Sequence, residues 1–148
     1  MSKSPLVSVV IPTYNRSHLI TRAINSVLHQ TYKNLECIVV DDASTDNTGE
    51  LVHSINDDRI IYLRHDNNKY TSASRNTGIK NAKGKFIAFL DDDDVWLSTK
   101  LEKQVLLIQS LSKNFGMVYC WYDYFDQNEI IIREHHPKLR GDVFLHVL

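Results

Sequence analysis

The chain has 148 residues, of which 43% are hydrophobic and 24% are charged. This composition provides the core of one domain and excludes a disordered segment. Seventeen Lys and Arg against eighteen Asp and Glu give a net charge of -1. The charge balance therefore indicates no surface for nucleic acid or for an anionic membrane.

The location of the protein is predicted from its apolar segments and its cysteines. No apolar run approaches the roughly 20 residues that a membrane span needs, and the first residues carry no secretory signal. Cys37 and Cys120 both fall in apolar runs typical of strands, where we expect them to be buried, reduced thiols. A cytoplasmic protein is expected.

The first hundred residues alternate short apolar runs with amphipathic stretches. Strands are predicted at residues 6–11, 35–40, 60–64 and 86–90, and helices at residues 18–28, 48–55, 72–83 and 98–113. Pro12 is expected to end the first strand because it cannot donate to a ladder. This alternation predicts an α/β fold with a parallel sheet and right-handed crossovers.

Three helix boundaries are predicted from local signals. Ser17 is expected to be the N-cap of the first helix, and Asn47 with Glu50 has the spacing of a capping box for the second. Gly84 is expected to follow the third helix in a left-handed conformation.

From Gly116 the pattern changes. Residues 117–122 and 130–133 are predicted to be two more strands, joined by a hairpin-like turn. A further helix is expected to begin near Val143.

Four consecutive carboxylates, Asp91 to Asp94, follow the fourth strand. Adjacent like charges repel, so this run indicates a cation that neutralises them. The alternative is a solvated acidic turn before a helix N-terminus, where carboxylates are favourable. The run by itself leaves both interpretations open.

Three polar loops are predicted to meet at one edge of the sheet. Ligands of open α/β sheets bind beyond the carboxyl ends of the strands, and three of the strands end near Tyr14, Asp42 and Asp91. These loops offer an aromatic face, a hydrogen-bond acceptor and metal ligands, which is what a nucleoside diphosphate with a divalent cation needs. Arg75, early in the third helix, is either a surface residue or a partner of the diphosphate.

Other nucleotide and metal motifs do not fit. The spacing of Gly78, Gly84 and Lys85 excludes a Walker A loop, and no G-x-G-x-x-G follows the first strand. EF-hand loops starting at Asp42 or Asp91 lack the required glycine. A sugar nucleotidyltransferase would need a glycine-rich N-terminal loop, and residues 12–16 contain no glycine.

Four segments taken together resemble the family 2 glycosyltransferases of the GT-A fold. They are VSVVIPTYNR at residues 7–16, VDDASTDNT at 40–48, RNTG at 75–78 and FLDDDDVW at 89–96. Their order and spacing fit the family over nearly the whole chain. The resemblance implies a three-layer α/β/α sandwich with a mostly parallel sheet, formed by a single GT-A-like domain over residues 1–148 that contains the donor-binding half.

The resemblance also implies roles for individual residues. The nucleotide sugar would be held by Pro12, Thr13, Tyr14, Asp42, Arg75, Asp91 and Asp92. Asp91-x-Asp93 matches the D-x-D motif, with Asp93 as the direct Mn²⁺ or Mg²⁺ ligand and Asp91 close to it. Carboxylates from separate loops are therefore expected to converge on one cation. The family often has Ser where this chain has Asp92, so the division of roles among these three carboxylates stays open.

The activity implied is transfer of a sugar, with inversion, from a nucleoside-diphosphate sugar, expected to be UDP-linked. The acceptor would be a saccharide or a lipid-linked saccharide in cell-surface polysaccharide synthesis. The catalytic base is expected beyond Leu148, so we expect a fragment with little activity that binds nucleotide and metal. The alternative is a non-catalytic nucleotide-sugar-binding or assembly module. Homo-oligomerisation and peripheral membrane association of the full-length protein are further expectations.

Overall fold

The computed structural model describes residues 4–111, 116–126, 128 and 130–136. The chain divides into two compact units, Met1–Val105 and Leu106–Leu148. The expectation of a single domain over the whole chain stays a prediction.

The first unit alternates strands and helices, as the apolar pattern predicts. Its strands are β1 (Val7–Thr13), β2 (Leu35–Asp41), β3 (Ile60–Arg64) and β4 (Phe86–Phe89). The helices are α1 (Ser17–Leu28), α2 (Thr48–Ser54), α3 (Tyr70–Asn81) and α4 (Lys100–Ser110), of which α4 continues past residue 105. The four strands form one parallel sheet in the order β3-β2-β1-β4. The predicted parallel α/β sheet is confirmed.

Helices cover both faces of this sheet. On one face, Val9 and Ile11 of β1 pack in a buried cluster with Ile20 and Ile24 of α1 and with Leu101 of α4. On the other face, a second cluster contains Val10, Ile38 and Val40, with Ala82 packed against it at the end of α3. Every residue of β1 and β2 is buried, as continuous apolar strands of a covered parallel sheet should be. The three-layer arrangement is confirmed.

Helix α3 approaches the sheet closely because Gly78 has no side chain. A Cβ atom at this position would lie 2.3 Å from Cγ1 and 2.9 Å from Cγ2 of Val10. Both Gly78 and Val10 are buried. The contact therefore fixes the distance between α3 and the central strand.

The expectation that Pro12 ends β1 is wrong, since the strand continues to Thr13. Backbone groups of successive strand residues point to alternate sides, and the carbonyl of Val10 accepts from the N–H of Leu90 on the β4 side. Pro12 lies on the same side, but β4 pairs with β1 only as far as Val10. The missing N–H of Pro12 therefore costs no ladder hydrogen bond.

The N-cap expected for α1 is wrong, and Asn47 occupies the predicted N-cap position of α2 but makes no capping bond, which Asp46 supplies instead. Ser17 is the first residue of α1, and its N–H donates to Asp46 Oδ2 at 3.1 Å. Asn47 makes no side-chain cap bond to α2, whereas Asp46 Oδ1 accepts from the N–H of Thr48 at 3.0 Å. One carboxylate thus serves the beginnings of two helices, which a search for local capping pairs does not reveal.

Gly84 is not left-handed, contrary to expectation. Helix α3 ends at Asn81, and its C-cap residue Ala82 is extended with ψ 133°. The N–H of Gly84 donates to Ser8 Oγ at 2.8 Å, and a Cβ here would lie 2.6 Å from the backbone nitrogen of Ser8. Glycine is needed for close approach to β1 rather than for an unusual φ angle.

The second unit contains β5 (Tyr122–Phe125) and β6 (Ile131–His135), which pair in antiparallel fashion. An antiparallel hairpin is confirmed, but its first strand was misplaced, since it was predicted at residues 117–122 and forms at Tyr122–Phe125. Cys120 is exposed and only Cys37 is buried, so the expectation of two buried thiols is wrong for Cys120. The helix expected near Val143 lies outside the described residues. Among the helices in the described part of the chain, none combines the length and apolar character required to cross a membrane.

Candidate functional site

The loops after β1, β2 and β4, together with the first half of α3, enclose an open cavity of about 360 Å³. This volume is within the range of small-molecule sites. The residues singled out from the sequence all line it: Pro12, Thr13, Tyr14, Asp42, Arg75, Asp91, Asp92 and Asp93. Because β4, β1 and β2 are adjacent and parallel, their carboxyl ends meet at one edge, as predicted.

Three carboxylates form one side of the cavity, which we call the acidic wall: Asp91, Asp92 and Asp93. Each has a different partner in the first unit. Asp91 Oδ1 accepts from Arg75 Nη2 at 2.6 Å, Asp92 Oδ2 accepts from Thr13 Oγ1 at 2.7 Å, and Asp93 Oδ2 accepts from Arg16 Nη1 at 3.2 Å. Two arginines thus offset part of the negative charge.

The acidic wall still carries unfavourable charge at its centre. Partial burial raises the pKa of Asp92, and the neighbouring charges of Asp91 and Asp93 act in the same direction. The hydrogen bond from Thr13 and the charge of Arg16 oppose this shift without cancelling it. A cation placed here would relieve the repulsion.

The donor set fits Mn²⁺ or Mg²⁺, which take hard oxygen ligands. Within the described residues, however, no three His, Cys, Asp or Glu side chains form a ligand group, so Asp42 does not join the acidic wall around one ion. Mg²⁺ is commonly held by only one or two carboxylates together with substrate phosphates and water. The acidic wall suits that mode of binding and not a cage of protein ligands alone.

Asp42 is buried and already bound by its own chain. Its Oδ1 accepts from the N–H of Lys69 at 2.8 Å and lies 2.6 Å from Nδ1 of His65, while Oδ2 accepts from the same Lys69 N–H at 3.0 Å. Burial alone would raise the pKa of Asp42, but hydrogen bonds from His65 and from the backbone at Lys69 and Tyr70 outweigh it and leave this pKa lowered. Asp42 is therefore an ionised acceptor whose orientation is fixed.

His65 supports this arrangement from behind. It is buried, and its Nε2 lies 2.9 Å from Oγ1 of Thr77 on α3. If Nδ1 donates to Asp42, Nε2 is the acceptor of the Thr77 hydroxyl proton. Asp42, His65 and α3 are thus connected in one hydrogen-bonded chain.

The loops after β1 and β2 are joined to each other through Asn15. Its N–H donates to Ser44 Oγ at 2.9 Å, and its Oδ1 accepts from the N–H of Thr45 at 2.7 Å. Asn15 has a φ angle of 52°, which Asn tolerates better than most residues. These bonds hold the loop that carries Tyr14, whose side chain is 44% exposed, against the loop that carries Asp42.

Arg75 connects α3 to the acidic wall. Besides the bond from Nη2 to Asp91, its Nε is buried and has no acceptor among the described residues. A guanidinium that keeps donor capacity beside a cavity can bind a carboxylate or a phosphate. This geometry favours the interpretation of Arg75 as a site residue over that of an ordinary surface residue.

A family model described as glycosyl transferase family 2 matches residues 8–145. The chain belongs to glycosyltransferase family 2. The resemblance carried by the four segments is thereby confirmed.

Curated relatives include two glycosyltransferases of Escherichia coli. The chain is 44% identical over 126 residues to the Escherichia coli UDP-Glc:alpha-D-GlcNAc-diphosphoundecaprenol beta-1,3-glucosyltransferase WfgD, covering 85% of this chain and 49% of that protein. It is 45% identical over 132 residues to the putative colanic acid biosynthesis glycosyl transferase WcaA of Escherichia coli K12, covering 88% of this chain and 47% of WcaA. The chain thus spans about half the length of these relatives.

Solved structures of glycosyltransferases share the fold. Residues 1–349 of Staphylococcus aureus TarS in complex with UDP-GlcNAc match with a TM-score of 0.68 and 26% identity, covering 83% of this chain and 41% of that one. The mannosyltransferase PcManGT from Pyrobaculum calidifontis, in complex with GDP-Man and Mn²⁺, matches with a TM-score of 0.59 and 30% identity, covering 64% and 29%. The GT-A fold implied by the sequence is confirmed.

Several residues of the family 2 site are missed by the sequence analysis. The cavity is also lined by Arg16, Asn68, Tyr70, Thr71 and Ser74. Tyr70, Thr71 and Ser74 lie in the first half of α3, which begins two residues earlier than predicted, and Asn68 lies just before it. The polar run Asp66-Asn67-Asn68-Lys69 after β3 was an available signal, because it precedes a helix at the same edge of the sheet.

Proposed function

We propose that the chain binds a nucleoside-diphosphate sugar, with UDP as its nucleotide, in this cavity and transfers the sugar with inversion. The proposed acceptor is a saccharide or lipid-linked saccharide in surface polysaccharide synthesis. One observation carries the proposal: an aromatic side chain, a fixed carboxylate and the acidic wall line one cavity in a family 2 glycosyltransferase. The substrates of WfgD and the UDP-GlcNAc bound to TarS support the choice of a UDP-sugar.

The proposed donor would lie along the cavity from Asp42 to the acidic wall. Tyr14 offers an exposed ring face for the base, and Pro12 and Thr13 continue the same wall. Asp42 Oδ2 accepts from the Lys69 N–H at 3.0 Å, and a carboxylate oxygen can accept a further hydrogen bond, here from a donor on the base or ribose. Arg75 lies at the other end, where the diphosphate would be.

Asp93 is the proposed ligand of Mn²⁺ or Mg²⁺, with Asp91 beside it. When bound there, the ion would neutralise the charge on the departing diphosphate. Arg75 holds Asp91 at 2.6 Å, so a donor phosphate that attracts Arg75 would release Asp91 toward the ion. The Mn²⁺ present with GDP-Man in the PcManGT structure supports the use of a divalent cation.

Isothermal titration calorimetry with UDP, with and without Mn²⁺, tests this proposal. We expect Mn²⁺ to increase UDP affinity at least about tenfold in the wild type, which corresponds to ~1.4 kcal/mol. Asp93→Asn should abolish the increase. Asp58→Asn is the matched control, because Asp58 is an exposed carboxylate outside the cavity. Equal UDP affinity with and without Mn²⁺ in the wild type would contradict the proposed metal site.

A transfer assay separates the enzyme from the non-catalytic alternative. UDP-glucose and an undecaprenyl-diphosphate-linked GlcNAc acceptor are suitable substrates because WfgD is named for them. Product with inverted configuration, or hydrolysis of UDP-glucose without transfer, supports the glycosyltransferase. Tight UDP binding with neither product nor hydrolysis favours a binding or assembly module. Cytoplasmic location, homo-oligomerisation, membrane association and a base beyond Leu148 stay predictions.

A further inference from the structure

Tyr70 begins α3 in a backbone conformation that is unfavourable for its side chain. Its φ angle is 67°, in the left-handed region that bulky residues rarely adopt. Asn68 Oδ1 accepts from the N–H of Tyr70 at 3.1 Å, and the preceding N–H, that of Lys69, donates to both carboxylate oxygens of Asp42. The turn is thus imposed by contacts of its neighbours and not by the Tyr70 ring.

The ring of Tyr70 makes no visible contribution to the fold. The residue is 80% exposed, and none of the ring contacts observed among the described residues involves it. Glycine or asparagine would adopt this φ angle more easily. Packing and local conformation therefore give no reason for an aromatic side chain at this position.

The position of Tyr70 along the cavity follows from the contacts of two nearby residues, Lys69 and Arg75. Lys69 is bonded to Asp42, and Arg75 is bonded to Asp91. Tyr70 also lines the cavity, as Tyr14 does. The Tyr70 ring consequently lies toward the Asp42 end, away from the diphosphate end at Arg75.

We propose that Tyr70 is a further donor-binding residue that stacks on the nucleobase, complementing Tyr14. This inference rests on the proposed function, since it requires a nucleotide whose base lies at the Asp42 end. A rigid ring with two rotatable side-chain bonds loses little freedom on binding, and every nucleobase presents a flat face to it. Tyr70 then contributes to the affinity for the base but not to that for the phosphates.

Calorimetry on Tyr70→Gly, Tyr70→Asn and Tyr70→Phe tests this inference, with UDP and inorganic pyrophosphate as the two probes, each with Mn²⁺. Base–aromatic stacking is worth ~1–3 kcal/mol, so the Gly and Asn variants should bind UDP about 5- to 150-fold more weakly. Tyr70→Phe keeps the ring and should bind UDP like the wild type. Pyrophosphate affinity should be the same in all four proteins.

Thermal unfolding provides the second readout. Tyr70→Gly and Tyr70→Asn should unfold at the wild-type temperature or above it, because both residues accept a positive φ angle. Wild-type UDP affinity in Tyr70→Gly overturns the inference and leaves the proposed function standing. An equal loss of UDP and pyrophosphate affinity also overturns it, since the ring would then act by positioning α3. If the wild type binds no UDP, the proposed function itself fails.

Discussion

Gly78→Ala tests whether the close contact between α3 and β1 is required. The new methyl group would lie 2.3 Å from Cγ1, 2.9 Å from Cγ2 and 3.2 Å from Cβ of Val10, where carbon atoms prefer 3.5–4.0 Å. Val10 is fully buried in the central strand, and no rotation of its side chain clears both methyls from the same contact. Overpacking of this kind costs ~1–3 kcal/mol, and the tight geometry favours the upper end.

A competing effect has the opposite sign. Alanine in a helix interior is favoured over glycine by ~1 kcal/mol. Subtracting this from a clash of ~3 kcal/mol predicts a net loss of about 2 kcal/mol in the free energy of unfolding. The clash should therefore win, and α3 should be displaced together with Arg75 at the edge of the cavity.

Urea unfolding followed by circular dichroism measures the loss in the free energy of unfolding. The same substitution made in a Val10→Ala protein tests whether the clash causes this loss. Val10→Ala removes both clashing methyls at a cost of about 2 kcal/mol. In that background, Gly78→Ala should be neutral or stabilising. Gly116→Ala is the control, because no atom lies within 4 Å of the added methyl. A Gly78→Ala protein as stable as the wild type, or an equal loss in both backgrounds, would refute the reasoning.

Two further predictions concern the two cysteines and the ion pair between Asp57 and Arg59. Burial raises the pKa of Cys37 to about 12, whereas Cys120 is exposed. A thiol reagent should therefore label one cysteine rapidly in the native protein, and Cys120→Ser should remove the fast phase; a fast phase that persists would contradict the burial of Cys37. The hydrogen bond from Arg59 lowers the pKa of Asp57 from 3.8 to about 2. Ionised Asp57 therefore contributes fully to the stability of the folded state above its unfolded pKa, and this contribution is lost as the pH falls toward 2. Asp57→Asn should accordingly cost about 1 kcal/mol at pH 7, and the difference from the wild type, followed by urea unfolding, should shrink below pH 4. In an Arg59→Gln background the same substitution should have a smaller effect, and a difference that stays constant with pH would argue against the ion pair.

The alternation of strands and helices and the parallel sheet could be predicted because their signals are local and repeated. Apolar runs such as residues 35–40 are long enough to be recognised without knowledge of their neighbours, and parallel pairing follows from the helices between them. Once β1, β2 and β4 lie side by side, their polar ends must meet. Seven of the eight predicted site residues come together for this reason, and the eighth, Arg75, is brought to the cavity by α3.

The boundaries of the elements were predicted less well because tertiary contacts decide them. Asp46 caps both α1 and α2, and its partner Ser17 is 29 residues away. Pro12 remains in β1 only because β4 has already ended beside it. Neither fact is visible in the few residues around a boundary, so propensity rules placed Ser17 and Pro12 incorrectly.

The state of the site residues also depends on distant partners. The sequence identifies Asp42 as a candidate acceptor, but His65, which fixes its orientation, is 23 residues away and on the next strand end. The backbone of Lys69 binds the same carboxylate, and this bond holds the turn that gives Tyr70 its φ angle of 67°. No sequence rule predicts a left-handed tyrosine, since its cause is a contact made by the neighbouring residue.

These contacts mean that recognition of the base and placement of α3 depend on the same carboxylate. Asp42 accepts a hydrogen bond from the N–H of Lys69, the residue before Tyr70. Through His65 the same carboxylate is connected to Thr77, later in α3. Removing the Asp42 carboxylate would therefore release the beginning of α3, and with it both Tyr70 and Arg75. Loss of binding in an Asp42→Ala variant would thus not identify a direct contact to the nucleotide. Tyr70 and Asp93 lie at opposite ends of the cavity, and substitutions of their side chains leave this chain of hydrogen bonds intact. Such substitutions can therefore identify direct contacts to the nucleotide and to its metal ion.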